Sequence, residues 1–334
     1  MKRWSAAVFA LVLIVSILSG CGAKSEKDVV QDLSKKIENI NSYQTDATMT
    51  FQHNGKKQTY QAHISFQKPY YYRVALSDGN KGNNQMILRN SDGVFVLTPE
   101  LNKSYRFESN WPNNRSQAYL YHSLAKDILN DPNPGFTAKE NQYVFNTKTN
   151  YNTAQLSNQQ IALNKDLTPV NVRILDKDQN IIVTVVFKNF KVNPSLDKSI
   201  FDVNKNMTAA RIGQTKAAQA AAETFKVQYP TARISGSTLS SMTPETTQAG
   251  EKYVLKYGGQ KPFTLIESKS SAAASDVPVL ASGDPANLGF SIGSVNNNTL
   301  TWSYGGTDYF LASDKLTQDE LITVAQSMNG TVVK

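Results

Sequence analysis

The sequence predicts an α+β protein that is mainly β, with one large antiparallel sheet and a smaller α+β domain after it. Short segments alternate polar and apolar residues with a period of two, clusters of Gly, Asn and Asp separate them, and few segments have helical periodicity. Hydrophobic residues make up 40% of the 334 residues and charged residues 19%. This composition is that of an ordinary globular protein, and the length has room for about two domains.

A helix and a hairpin are expected at the start of the large sheet. After Ser25, apolar residues from Val29 to Ile40 recur at helical spacing. Over residues 43–51 and 60–66 the period changes to two, which is typical of strands with one buried face. The Asn54-Gly55 pair between them predicts a hairpin turn.

More strands follow, interrupted by one helix. The expected strands cover residues 70–76, 85–89, 94–97, 104–107, 142–147, 160–163, 170–175 and 181–187. Between Arg115 and Asn130, apolar residues at helical spacing predict a second amphipathic helix, and Asp131-Pro132 ends it. We therefore expect a curved, incomplete antiparallel β-barrel whose apolar face points inward and which is closed by helices.

The chain begins with the pattern of an export signal. Lys2 and Arg3 precede an apolar run over residues 6–18, shorter than the roughly 20 residues that span a bilayer. The stretch Leu18-Ser19-Gly20-Cys21 resembles the bacterial lipobox, which implies a signal peptide over residues 1–20 and a diacylglycerol on Cys21. Residues 21–27 would then be a tether. The alternative is a plain signal peptide; an internal disulfide is excluded because Cys21 is the only cysteine.

A second, smaller unit is expected in the C-terminal third. After the first domain at residues 28–206, an alanine-rich helical linker is predicted over residues 207–228 and an α+β domain over residues 229–334. Gly258-Gly259 and Gly305-Gly306 each separate two strand-like segments, and Thr317 with Glu320 predicts a capped last helix. This arrangement is similar to a module found at the C-termini of bacterial envelope proteins.

The first domain resembles the LolA-like lipoprotein-carrier family. The order of helix, strand and hairpin, then Lys68-Pro69-Tyr70, Ser91-Asp92-Gly93-Val94-Phe95-Val96, the mid-chain helix and Phe201-Asp202-Val203 carries the resemblance. It is closest to lipid-anchored members from Gram-positive bacteria, some of them linked to sporulation. The resemblance implies a LolA/LolB-like open barrel that accepts acyl chains. Gram-negative carriers have an arginine where this chain has Lys68, and lysine lacks the planar fork of that latch.

Apolar residues expected on the concave face are the candidate ligand-binding site. The cavity-lining candidates are Phe51, Ile64, Phe66, Tyr72, Val74, Met86, Leu88, Phe95, Leu97, Phe107, Val172, Ile174, Val183, Val185 and Phe187. The lid candidates are Lys68, Tyr121, Leu124 and Ile128. Acyl binding needs no catalytic group, because each CH₂ removed from water contributes about 0.8 kcal/mol. Each of these residues singly also fits a filled β-protein core.

The sequence lacks the motifs of common catalytic and metal sites. His53, His63 and His122 do not have metal-ligand spacing, and there is no nucleophile elbow or phosphate-binding glycine loop. Asp176 and Asp178 lack the glycine and distal glutamate of a calcium loop. We therefore expect no enzyme activity, no metal and no cofactor.

The net charge and the predicted export limit the classes of partner that this chain is expected to bind. The net charge of +8 is dispersed, which disfavours nucleic-acid binding and favours a mild attraction to anionic lipid or wall polymers. The expected location is the extracytoplasmic face of the cell membrane. Two functions remain open: a carrier or chaperone that binds a lipid, acyl chain or lipoprotein ligand, and a non-catalytic sensor or scaffold that regulates an envelope protein partner in sporulation or envelope stress.

Overall fold

The computed structural model describes residues 24–53, 56–78, 84–113, 115–151, 156–214, 226–232, 234, 236–247, 250–271 and 277–328. In these ranges the chain forms nineteen β-strands, four α-helices and two short 3₁₀ helices. The protein is therefore mainly β with few helices, as the sequence predicts. Over the same ranges, none of the helices has both the length and the apolar character that crossing a membrane requires.

The first two thirds of the chain contain three helices and eleven strands. The helices are α1 (Glu26–Asn39), α2 (Tyr121–Asn130) and α3 (Val203–Gln214). The strands are β1 (Ser42–His53), β2 (Lys56–Gln67), β3 (Tyr71–Ser77), β4 (Gln85–Asn90), β5 (Gly93–Thr98), β6 (Lys103–Phe107), β7 (Gly135–Ala138), β8 (Gln142–Lys148), β9 (Asn158–Asn164), β10 (Pro169–Leu175) and β11 (Ile181–Val192). The 3₁₀ helices are Pro99–Leu101 and Lys198–Phe201.

The last third contains eight strands and one helix. The strands are β12 (Ser237–Thr247), β13 (Gly250–Gly259), β14 (Phe263–Lys269), β15 (Val279–Ala281), β16 (Asp284–Asn287), β17 (Ile292–Val295), β18 (Thr299–Tyr304) and β19 (Thr307–Ala312). The helix is α4 (Gln318–Gln326).

The large sheet has twelve strands and is open. Its order is β15-β6-β5-β4-β3-β2-β1-β11-β10-β9-β8-β7. Neighbouring strands are antiparallel, except that β15 runs parallel to β6. The predicted antiparallel sheet is thus present, while β15 and β7 form its two ends and it does not close into a barrel. The predicted first hairpin is confirmed by continuous pairing of β1 with β2; its turn residues, Asn54 and Gly55, lie outside the described ranges.

Helix α1 is fixed by a cap and by one apolar face. The Ser25 hydroxyl accepts a hydrogen bond from the Asp28 amide at 3.3 Å, and the Asp28 carboxylate accepts from the Ser25 amide at 3.2 Å. This reciprocal capping box satisfies backbone donors that the first turn leaves without partners. Val29 and Leu33 on the opposite face are fully buried. The capping box therefore fixes where this helix begins, and its apolar residues determine which face is buried.

The second sheet has seven strands and carries α4. Its order is β12-β13-β14-β19-β18-β17-β16, all antiparallel. The predicted hairpins β13–β14 and β18–β19 are both present. At the start of α4, the Thr317 hydroxyl accepts from the Glu320 amide at 3.2 Å, and the Glu320 carboxylate accepts from the Thr317 amide at 3.0 Å. The predicted capping box is thus confirmed.

The two sheets share one apolar core. A single cluster of buried side chains includes Ile64 of the large sheet and Leu265 of the small one. Polar contacts reinforce the junction: the Gln85 side chain accepts from the Ile292 amide at 2.8 Å, and Lys103 pairs with Asp308 at 2.7 Å. The predicted division into domains at residues 28–206, 207–228 and 229–334 stays a prediction, and much of the predicted linker lies outside the described residues.

The mid-chain helix begins later than the sequence pattern indicates. Helix α2 starts at Tyr121, not Arg115. The preceding segment folds back onto the helix: the Ser116 hydroxyl donates to Asp127 at 2.9 Å, and the Gln117 amide donates to the Ser123 hydroxyl at 2.8 Å. The apolar residues of this preceding segment are therefore buried although they are not helical. The spacing of apolar residues alone cannot distinguish such a segment from a further turn of helix.

Candidate functional site

The predicted cavity-lining residues are buried except for Phe51, which is half-buried, and they do not all lie on one face. Eleven of them belong to, or pack against, the large apolar cluster. These are Phe51, Ile64, Phe66, Tyr72, Val74, Phe107, Val172, Ile174, Val183, Val185 and Phe187. Cross-strand pairs such as Ile64 with Val74 and Val172 with Val185 place them in rows across the sheet. These positions therefore lie together in the main apolar cluster, and their role as a ligand-binding face stays a prediction.

Met86, Leu88, Phe95 and Leu97 correct the sequence prediction, because they face the other way. They form a separate cluster with Met207 of α3. Since side chains alternate along a strand, it is their neighbours, such as Ile87, that join the main core. Helix α3 covers the outer face at this point, so β4 and β5 are buried on both sides. Such strands lack the polar–apolar alternation that reveals which face is inward.

Aromatic side chains fill the space beneath α2. Tyr43 of β1 is fully buried and stacks on Phe66 at 5.2 Å and on Phe190 at 5.3 Å between ring centroids. Its ring also stacks on His122 at 5.6 Å and meets Tyr121 edge-on at 6.2 Å. Aromatic contacts at these distances are favourable beyond their burial alone. The helix therefore rests on a packed layer of rings.

The predicted lid residues hold α2 down. Tyr121, Leu124 and Ile128 are essentially fully buried, and the Tyr121 hydroxyl donates to the Leu167 carbonyl. Lys68 differs from the latch of the carriers, because its ammonium donates to the backbone carbonyl of Glu38 in α1. Apolar packing and the Tyr121 hydroxyl therefore hold α2 in place, and the role of these residues as a lid stays a prediction.

Of the two histidines whose side chains the structure describes, His122 is the more buried. Burial, reinforced by the positive charge of Lys68, lowers the pKa of His122 to about 4, so the ring is neutral at pH 7. Its Nδ1 atom is buried and has no hydrogen-bond partner among the described residues. A buried polar atom without a partner requires an explanation. His122 therefore carries a buried polar atom without a partner among the described residues on this side of α2.

A cavity of about 270 Å³ runs along the same side of α2. It lies between the polar face of the helix, the residues 112, 113, 115 and 116 that precede it, and the end of β8. Its walls are Tyr72, Pro112, Asn113, Arg115, Ser116, His122, Ser123, Lys126, Asp127, Asn130, Asp131, Pro132, Lys148, Thr149 and Asn150. Of the predicted lining residues, only Tyr72 reaches it. The sequence does not reveal this cavity, because the polar face of an amphipathic helix is normally expected to face water and not the wall of a binding site.

The other polar residues singled out in the sequence have structural partners. His63 Nδ1 lies 2.7 Å from Asp46 on exposed neighbouring strands, and Asn189 donates to the same carboxylate at 2.9 Å. Asp176 accepts from the amides of Asp178 and Asn180 at 2.9 and 2.8 Å, which is a turn. In the described part of the chain, no three His, Cys, Asp or Glu residues form a group able to hold a metal. Cys21 and the His53 side chain lie outside it.

Comparisons with known proteins agree with the sequence pattern. The family described as "Sporulation protein YdcC-like" matches residues 1–201. "Sporulation protein YdcC" of Bacillus subtilis (strain 168) is 44% identical over 321 residues, covering 96% of this chain and 95% of that protein. The predicted resemblance to a sporulation-type protein is thereby confirmed.

Solved structures also match, at low similarity. The MucA/MucB complex of Pseudomonas aeruginosa matches with 13% identity and a TM-score of 0.30, covering 90% of this chain and 98% of that chain. A LolA-superfamily protein from Nitrosomonas europaea matches with 10% identity and a TM-score of 0.31, covering 54% and 98%.

Proposed function

Because the chain belongs to the family of YdcC-like sporulation proteins, we propose that it acts in sporulation as a lipid-anchored scaffold on the outer face of the cell membrane. The anchor is the diacylglycerol expected on Cys21, with residues 1–20 removed and residues 21–27 as the tether. The folded part contacts an envelope protein partner and performs no catalysis.

The packed interior is the observation that carries the scaffold role. Tyr43 and Tyr121 are fully buried against each other, and Leu124 and Ile128 of α2 are buried in the same apolar cluster. The cavity beside α2, at about 270 Å³, falls below the range of roughly 300–1,000 Å³ for small-molecule pockets. An acyl chain could enter the apolar core only if α2 moved away and several kcal/mol of buried contacts were lost.

A carrier role is the second candidate, and one observation favours it. Tyr72, a predicted lining residue, forms a wall of the cavity, which connects the cavity to the predicted apolar stripe. If α2 swings outward, the stripe from Ile64 to Phe187 would become a continuous apolar trough beneath it. Lipidated ligands would then bind by burial of CH₂ groups.

Native mass spectrometry separates the two roles. The full chain is expressed in a sporulating Gram-positive host, extracted in mild detergent and compared with a Cys21→Ser variant. For a scaffold we expect the wild-type mass to exceed the processed chain by the covalent lipid alone, and Cys21→Ser to carry no lipid. A further acyl species bound in equal amount to both proteins would support the carrier and refute the scaffold.

A further inference from the structure

We propose that the cavity beside α2 binds a phosphate group, held by Arg115, Lys126 and Lys148. All three cationic side chains line the cavity, and they approach it from three separate elements: the segment before α2, the helix itself and the end of β8. The ligand class is a phosphoester, either as a soluble metabolite or as the headgroup of a phospholipid.

The three cations are not neutralised by the protein. Among the described residues, none of them forms an ion pair. Arg115 donates to the amide oxygen of Asn150 at 3.2 Å, and Lys126 makes a long 3.4 Å contact with the Asn113 carbonyl. Both partners are uncharged, so the positive charge remains available to a ligand. The planar fork of an arginine together with two ammonium groups is the donor set that proteins use for phosphate.

The two carboxylates in the cavity wall are already occupied. Asp127 accepts from the Ser116 hydroxyl at 2.9 Å and from Gln159 at 2.7 Å. Burial raises the pKa of Asp127, and the hydrogen bonds from Gln159 and Ser116 oppose this rise. Asp131 accepts from the backbone amides of Asn133 and Lys148 at 3.1 and 3.0 Å. Three cations and two carboxylates line the cavity, so positive charge is in excess there and the cavity favours an anion.

His122 supplies an independent indication that the cavity takes a ligand. It lies on the cavity wall, and its buried Nδ1 atom lacks a partner among the described residues. With the proton on Nδ1, the neutral imidazole would donate to a phosphate oxygen. Tyr72 stands on the same wall and adds an apolar surface beside it. The cavity can thus hold a group with a charged end and an uncharged remainder of about the size of glycerol.

The test measures binding of glycerol 3-phosphate to the full chain in mild detergent, by calorimetry and by ¹⁵N spectra of the His122 ring. The test variant combines Lys126→Ala with Lys148→Ala. The control combines Lys256→Ala with Lys315→Ala, which removes the same charge from two exposed positions, one on β13 and one in the loop between β19 and α4. All four lysines are exposed, so neither variant should disturb folding.

We expect glycerol 3-phosphate to bind and to shift the His122 signals. The test variant should bind about tenfold more weakly, since two charge-assisted contacts are lost, while the control stays within about twofold of wild type. Dihexanoyl phosphatidylglycerol distinguishes the sources: tighter binding than glycerol 3-phosphate identifies a lipid headgroup, and equal binding identifies a soluble phosphoester. No binding at about 10 mM, or equal losses in both variants, would overturn the proposal.

The result is independent of the role assigned to the apolar core. The cavity lies on the polar face of α2, whereas an acyl chain would occupy the opposite, apolar face. If the protein carries no acyl ligand and binds glycerol 3-phosphate, both the scaffold role and the phosphate site are supported. If it carries an acyl ligand and binds glycerol 3-phosphate, only the scaffold role is refuted.

Discussion

Glu267 of β14 allows the sharpest prediction about stability, because a carboxyl group is enclosed in the second sheet. Its side chain is fully buried. One carboxylate oxygen accepts from the Gln228 amide at 2.9 Å, and the other has no hydrogen-bond partner among the described residues. Burial raises the pKa of Glu267 from 4.5 to about 7, and the Gln228 amide offsets only part of this effect.

The consequence is a pH-dependent loss of stability with a defined sign. Between pH 4.5 and about 7 the folded protein keeps a proton that the unfolded chain releases, so the free energy of unfolding falls as the pH rises. A shift from 4.5 to about 7 corresponds to about 3 kcal/mol. Glu267→Gln keeps the shape and the acceptor for Gln228 but cannot ionise. We therefore expect the variant to be about 3 kcal/mol more stable than wild type at pH 8 and within about 0.5 kcal/mol at pH 4.5.

Urea unfolding at a series of pH values measures this difference. Circular dichroism and tryptophan fluorescence follow the transition. Trp302 reports on this part of the sheet, because it is buried and stacks on Tyr309, the residue that pairs with Glu267 on the neighbouring strand. Glu251→Gln, at an exposed position on β13, is the matched control and should give a difference near zero at every pH. A stability gain for Glu267→Gln that does not change with pH, or a loss at pH 8, would refute the reasoning.

Four further substitutions test the core packing, a helix cap and two glycine positions, each by urea unfolding. Tyr43→Ala should cost about 3–5 kcal/mol, since a fully buried ring stacked under α2 is removed; a cost below about 1 kcal/mol would show that the interior can adjust. Thr317→Ala should cost about 1 kcal/mol through loss of the capping box, and no change would contradict the cap. Gly259→Ala should destabilise strongly, because its Cβ would lie 2.2 Å from the Gly236 carbonyl oxygen. Gly305→Ala, with no atom within 4 Å, should cost only about 1–2 kcal/mol, and equal losses would refute the steric explanation.

The fold could be predicted where local signals and burial agree. The alternation in β1 and β2 predicted both strands and the inward face, because only one side of these strands is buried. The capping box at Thr317 predicted the start of α4 for an equally local reason. Strand β12 escaped prediction, since it is rich in Ser and Thr and almost wholly exposed, so it has no apolar period to detect.

The site could be predicted only in part, for reasons of tertiary packing. Leu88 and Phe95 were assigned to the concave face because a strand buried on both sides shows no polar alternation. The cavity with Lys126 and Lys148 depends on the contacts that Ser116 and Gln117 make with α2, which no periodicity reveals. Contacts between segments distant in the sequence determine both the orientation of Leu88 and Phe95 and the presence of the cavity, whereas the signals in the sequence are local.

Methyl NMR with palmitate tests most directly whether the core of the sheet is filled. Ile64 of β2 and Ile128 of α2 are both essentially fully buried in the main cluster and report from the floor and the lid of the predicted trough. For a packed interior we expect no change in either δ-methyl signal on addition of palmitate below its micelle concentration. Saturable shifts of both signals, together with faster hydrogen exchange in α2 as the helix moves away from the sheet, would contradict the account.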